Sequence, residues 1–135
     1  MLLDFYDLTR GVELDTIALR MTAEEARAYL DATGEPSERW TDAVPPLALG
    51  AFVIAALTEQ LPLPPGAIHT GQEFEFLRTV APGEPLEAHV RIAQQSERRE
   101  MLIVAVEFEL RATDAVVLRG RSTVIAPART KPAAS

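Results

Sequence analysis

Residues 43–58 read AVPPLALGAFVIAALT, an uncharged run bounded by Asp42 on one side and Glu59 on the other. Pro45 and Pro46 suit a first helical turn, where a missing N–H costs nothing. From Leu47 to about Leu61 the residues are mostly Ala, Leu, Phe, Val and Ile, apolar nearly all the way round. The run is too short to span a bilayer; as a helix of about 15 residues it is roughly 22 Å long. A helix without a polar face has to be buried in the middle of its own domain. The residues beyond it read as strands, so the expected architecture is α+β, a curved antiparallel sheet wrapped around one long buried helix.

Upstream, Gly11 marks a turn, and Ile17, Leu19 and Met21 alternate as a short strand does. Thr22 with Glu25 three residues on forms a capping box. The helix it announces, 23–32, places Ala26, Tyr29 and Leu30 on one side and stops at Gly34. Downstream, Leu61-Pro62-Leu63-Pro64-Pro65-Gly66 is a rigid loop. A strand begins near Ile68, with Gln72, Phe74 and Phe76 set against Glu73, Glu75 and Leu77. Ala81-Pro82-Gly83-Glu84-Pro85 is turn chemistry. Strands 86–94 and 101–110 alternate through Leu86, Ala88, Val90 and Ile92, and through Leu102, Val104, Val106, Phe108 and Leu110. Residues 96–100 make a charged hairpin between them, and 115–125 a last strand around Gly120. The expected order is strand, helix, long helix, then four strands in meander.

A chain of 135 residues, 47% hydrophobic and 24% charged, reads as one soluble domain. We place that domain at 1–127 and a flexible tail at 128–135, where Pro, Ala, Ser and Thr dominate. The chain has no cysteine, which excludes disulfide and thiolate chemistry and fits a reducing, cytoplasmic compartment. The start has no basic run leading into an apolar one, so no signal peptide is expected. A net charge of −7 argues against nonspecific nucleic-acid or anionic-membrane binding. His69 and His89 stand far apart without metal-ligand spacing, and no metal or cofactor is expected.

Three stretches together resemble the MaoC-like hydratase/dehydratase family of hotdog proteins. Tyr29-Leu30-Asp31-Ala32-Thr33-Gly34-Glu35-Pro36 is similar to the helix that leads into the family's active-site loop. Ala43-Val44-Pro45-Pro46-Leu47 resembles the start of its central helix, in the form seen in N-terminal or partner halves. Residues 68–76 with Ala81-Pro82-Gly83-Glu84-Pro85-Leu86 resemble the strand and Pro-Gly-Asp-x-Leu turn that come after that helix. The resemblance implies an acyl thioester of coenzyme A or acyl carrier protein as ligand, and reversible hydration of its double bond, giving (R)-3-hydroxyacyl or enoyl products. It also implies a dimer, because the family's acyl tunnel runs between two hotdogs. A single hotdog leaves an open sheet edge that calls for the same thing.

The departures fall on the chemistry. Active members carry Gly-Asp-x-Asn-Pro-x-His; here Glu35 takes the Asp place, Ser37 the Asn place, Glu38 the Pro place and Trp40 the His place. Hydrating an enoyl thioester needs a base for the water and an acid for Cα. A carboxylate can do part of this, but an indole N–H only donates. Pro46 stands about where active members offer a glycine N–H to the thioester oxygen, leaving the amide of Leu47 as substitute. The resemblance therefore implies a degenerate copy, or the non-catalytic half of a pair with a second hotdog chain.

Glu35 and His69 are the acid–base candidates that remain. Each has a plain structural alternative: a solvated loop carboxylate and a hydrogen-bonded histidine. Trp40, Pro46, Leu47 and Arg78 are candidates for substrate contact, Trp40 as a pocket wall and Arg78 as a phosphate ligand ahead of Arg98 and Arg99 in the hairpin. Glu73 and Glu75 read as the outward face of a half-buried strand, His89 as solvent-facing, and Glu59 as exposed at the helix end. Two other functions stay open: a stand-alone acyl-thioester binding module, and a thioesterase using Glu35, Glu59 or His69.

Overall fold

The computed structural model describes residues 4–36, 40 and 42–128. Ser37, Glu38 and most of the tail, 129–135, therefore lie outside the described residues. Helix α1 (Ala23–Thr33) follows β1 (Ile17–Leu19), and both sides of its capping box form, Thr22 Oγ accepting from Glu25 N–H and Glu25 accepting from Thr22 N–H at 3.1 Å each. It ends at Gly34, whose φ of 74° is the left-handed conformation that closes helices. Ala26 and Leu30 are buried as their spacing requires. The segment before β1 does more than approach it. A short 3-10 helix, Phe5–Asp7, seats Phe5 and Leu8 in the core, and Tyr6 Oη donates to the carbonyl of Pro127 at 3.0 Å.

Helix α2 (Pro46–Gln60) starts at the two prolines. Pro45 is its N-cap, and its carbonyl accepts from Leu49 N–H at 3.1 Å. The chain buries one face of this helix, through Ala48, Leu49, Gly50 and Val53. The other face is open: Leu47 is 61% exposed, and Ala51 and Ala55 are exposed as well. The expectation of a helix buried on all sides is corrected here. One sheet can cover only one stripe of a helix, and the described residues form one sheet.

That sheet is antiparallel, in the order β1-β3-β4-β5-β2, with β2 at Ile68–Phe76, β3 at Leu86–Arg98, β4 at Met101–Arg111 and β5 at Val116–Pro127. The α+β architecture stands, but the four-strand meander does not. Only β3, β4 and β5 follow one another as hairpins; β2 pairs with β5 on the far side. Residues 81–85 do form the turn their chemistry indicates, Glu84 N–H donating to the carbonyl of Ala81 at 3.1 Å, but the stretch from Leu77 to Pro85 is a crossover along one end of the sheet and not a link between paired strands. It has three strand spacings to cross, about 14 Å, which a stretch of this length spans easily. The alternating residues named on β3 and β4 are all buried.

In one row facing α2, Val90, Phe108, Gly120 and Phe74 lie side by side on β3, β4, β5 and β2. The Phe108 ring occupies the space that a side chain at Gly120 would need, and the Phe74 ring packs against Gly50 of α2. The two rings meet nearly edge to face at 6.3 Å. Phe76, expected to share the buried register with Phe74, is 40% exposed at the sheet edge.

Arg99 and Glu100 join β3 to β4 with φ of 51° and 65°, a two-residue turn in the left-handed region that suits Asn-Gly. We expect Arg99→Asn with Glu100→Gly to raise stability by about 1 kcal/mol, read as a higher urea midpoint with an unchanged slope. An unmoved midpoint would mean that the turn carries no strain.

Candidate active site

The start of α2 is fixed by the crossover. Val44 N–H donates to the carbonyl of Val80 at 2.7 Å, and Gly83 N–H donates to that of Met21 at 2.7 Å. The crossover is itself held by Arg78, whose guanidinium meets Glu84 at 2.8 Å and Asp114 of the β4–β5 turn at 2.5 Å. Arg78 thus braces the loop that carries α2. Its charge is already matched by these carboxylates, which leaves it poorly suited to a ligand phosphate.

Glu35 follows the left-handed cap of α1, and its carboxylate accepts a hydrogen bond from Trp40 Nε1 at 3.4 Å. Trp40 is half-buried; Glu35 is exposed. Leu47 and Ala48 supply the first amides of α2, since Pro45 and Pro46 have none. No acidic residue lies in that first turn, so the positive end of the helix dipole is unopposed. These groups can bind an oxygen and donate to it. Among the described residues of this loop, Glu35 is the one group that can take a proton, and the indole beside it can only donate.

His69 lies elsewhere. Its Nε2 is 2.8 Å from the carbonyl of Gly71, and because a carbonyl only accepts, that nitrogen carries a hydrogen. His69 lines a small apolar cavity of about 60 Å³ beside the last turn of α2, with Leu57, Thr58, Leu61, Leu63 and Ser122 among its walls. Among the described residues no hydrogen bond joins it to Glu35. Each acid–base candidate has its own hydrogen-bond partner, Trp40 for Glu35 and the Gly71 carbonyl for His69. Glu59 is exposed at the end of α2, His89 is half-exposed beside Glu87 at 3.3 Å, and Glu73 and Glu75 face outward.

One polar pair beside the cavity was missed from the sequence. Ser122 is buried, and its hydroxyl donates to Gln72 Oε1 at 2.5 Å. The signal was present, since Gln72 interrupts the register of Phe74. A groove of about 530 Å³ lies on the other side of the sheet among Arg91, Glu107 and Arg121, where ion pairs rather than reactive groups line it. Among the described residues no cluster of His, Cys, Asp or Glu is placed to hold a metal ion, and no described helix is long and apolar enough to cross a membrane.

Several carboxylates are held below their ordinary range: Glu84 and Asp114 by Arg78, Glu107 chiefly by Arg91, and Glu109 chiefly by Arg111. A lowered folded pKa adds stability above the unfolded value, about 4 for carboxylates, and that contribution disappears as pH falls through the folded value. We expect the urea midpoint to drop steadily below about pH 5, and Arg78→Met to flatten part of that slope. An identical slope in the variant would remove the brace.

No family model and no curated protein matches the sequence. Solved structures do match its fold. The MaoC-like dehydratase from Rhodospirillum rubrum aligns with a TM-score of 0.75 at 20% identity, over 96% of this chain and 99% of that one. The unliganded (R)-hydratase PhaJ1 from Pseudomonas aeruginosa gives 0.74 at 17%, over 96% and 90%. This chain has the hotdog fold of those proteins. A third hotdog match is the HadBC complex, a (3R)-hydroxyacyl-ACP dehydratase from Mycobacterium tuberculosis, at 0.69 and 18%, over 90% of this chain and 100% of that one. In hotdog terms, α2 is the central helix and β2 is the strand that leaves it at the open edge of the sheet.

Proposed function

We propose that this hotdog chain binds acyl thioesters, carried on coenzyme A or acyl carrier protein, as the non-catalytic half of a pair. The other half is a second hotdog chain that supplies the acid and base for reversible hydration of the double bond. One observation carries the reading. At the position where the resemblance puts a proton shuttle, Glu35 is hydrogen-bonded to the indole N–H of Trp40, a group with no lone pair to offer. The proline pair at the start of α2 points the same way, since it removes two amides that an oxyanion could use. The uncovered face of α2 and the open β2 edge leave room for the second hotdog.

The test is a hydration assay on crotonyl-coenzyme A, run with the purified chain and again with a hotdog chain that co-purifies with it. Turnover by the pair and none by the chain alone is the expected result. Enzyme-like turnover by the chain alone overturns the reading. Thioester binding in the absence of any catalytic partner would make the chain a binding module instead.

A further inference from the structure

The outward face of the sheet carries a grid of charges. One row across four strands runs Arg91, Glu107, Arg121, Glu73; the next runs His89, Glu109, Arg119, Glu75. Within these rows Glu107 meets Arg91 at 2.5 Å and Arg121 at 2.9 Å, and Glu109 meets Arg119 at 3.3 Å. The last member of each row is left over. Arg121 and Arg119 turn toward β4, and neither Glu73 nor Glu75 has an ion pair among the described residues. Both stand on β2, the long strand at the open edge, beside Ile68 at 60% and Leu77 at 43% exposure.

We infer that the β2 edge takes a strand from a different chain, one that presents lysine or arginine opposite Glu73 and Glu75, rather than a second copy of itself. This deepens the reading that the chain pairs with another hotdog, and rests on it. Directly opposed residues on neighbouring strands interact strongly, favourably for opposite charges and unfavourably for like ones. The alternation of sign from β4 to β2 in each row, Glu107-Arg121-Glu73 and Glu109-Arg119-Glu75, makes a cation the next member. A second copy has none to give, because β2 reads IHTGQEFEF, without lysine or arginine. Two copies related by a two-fold axis through residue 73, 74 or 75 set glutamates directly opposite one another. An axis through Gln72 leaves the two Glu73 side chains on a diagonal, still without a cation. The net charge of −7 on each copy adds to the repulsion.

A charge-reversed copy serves as stand-in for the basic strand. Sedimentation equilibrium would be measured on the full chain, on Glu73→Lys/Glu75→Lys, and on an equal mixture of the two. The mixture is expected to form a one-to-one complex at least about tenfold tighter than either chain alone forms, weakening as salt is raised. The neutral variant Glu73→Gln/Glu75→Gln is expected to self-associate more tightly than the unaltered chain. An unaltered chain that dimerises as tightly as the mixture, or a mixture that gains nothing, overturns the inference. The readout is association alone, so it fails separately from the functional reading. A pair that assembles this way yet hydrates nothing sinks only the function. A productive pair joined through a strand without cations sinks only this inference.

Discussion

Gly120→Ala is expected to cost about 3 kcal/mol and to lower the melting temperature by about 10 °C, the largest stability loss predicted for one added methyl group. The reason lies in the neighbours of Gly120, not in its own backbone, which is ordinary strand. A Cβ built there overlaps the ring of Phe108, which is 2% exposed and has no free side to move into. Displacing that ring pushes it at Phe74, 6.3 Å away between centroids, and Phe74 already rests on Gly50, where an added Cβ would lie 2.8 Å from its Cζ. The glycines at the two ends and the rings between them make one packing unit joining β4, β5, β2 and α2. A double-mutant cycle separates this from a general loss of strand propensity. With Phe108→Leu already in place, Gly120→Ala should cost at least about 1 kcal/mol less than it does alone. Equal costs in both backgrounds would mean that the ring is not what forbids a side chain at 120.

The parts of this fold that sequence pattern reveals are those decided by near neighbours. Thr22 and Glu25 announce α1 because both capping bonds close within three residues, and β3 and β4 are legible because Leu86 to Ile92 and Leu102 to Leu110 alternate strictly. Strand order is decided by distant partners. Nothing local to Phe74 says that its neighbour is Gly120 rather than a residue of β3, so Pro82-Gly83 reads as the turn it is but not as part of a crossover. Helix α2 fails differently. An all-apolar helix announces burial but not what buries it, and the exposed Leu47 marks the face that the chain's own sheet leaves uncovered. At the site, resemblance drew attention to Glu35 and Trp40, and the hydrogen bond between them ties that pair together. His69 stands out in the sequence because a strand begins there, close to a glycine, and the register of β2 with β5 places it by the last turn of α2. Arg78 was chosen for its charge; charge pairing with Glu84 and Asp114 across the crossover could not be read from spacing.

In the assembled pair, Glu35→Gln is expected to leave the hydration rate within about twofold, while replacing the histidine of the partner chain's own Asp/His loop lowers it by about 10²–10⁴-fold. Glu35 here accepts a bond from an indole N–H. A glutamine carboxamide oxygen accepts that bond equally well, so the substitution keeps the loop tied to Trp40 and removes only the capacity to ionise. A carboxylate that works as base or acid cannot survive this change, whereas one that merely anchors Trp40 can. Steady-state kinetics therefore separates the two roles, and the pH profile of kcat/KM adds a second readout, since removing a working acid or base deletes a limb of the profile. A large fall in kcat on Glu35→Gln, with one limb of the profile gone and KM unchanged, would place catalysis in this chain and reverse the assignment of roles within the pair. The companion substitution Trp40→Phe tests the same geometry from the donor side. It deletes the N–H while keeping an aromatic wall, so it should loosen thioester binding without touching the chemical step, raising KM and sparing kcat.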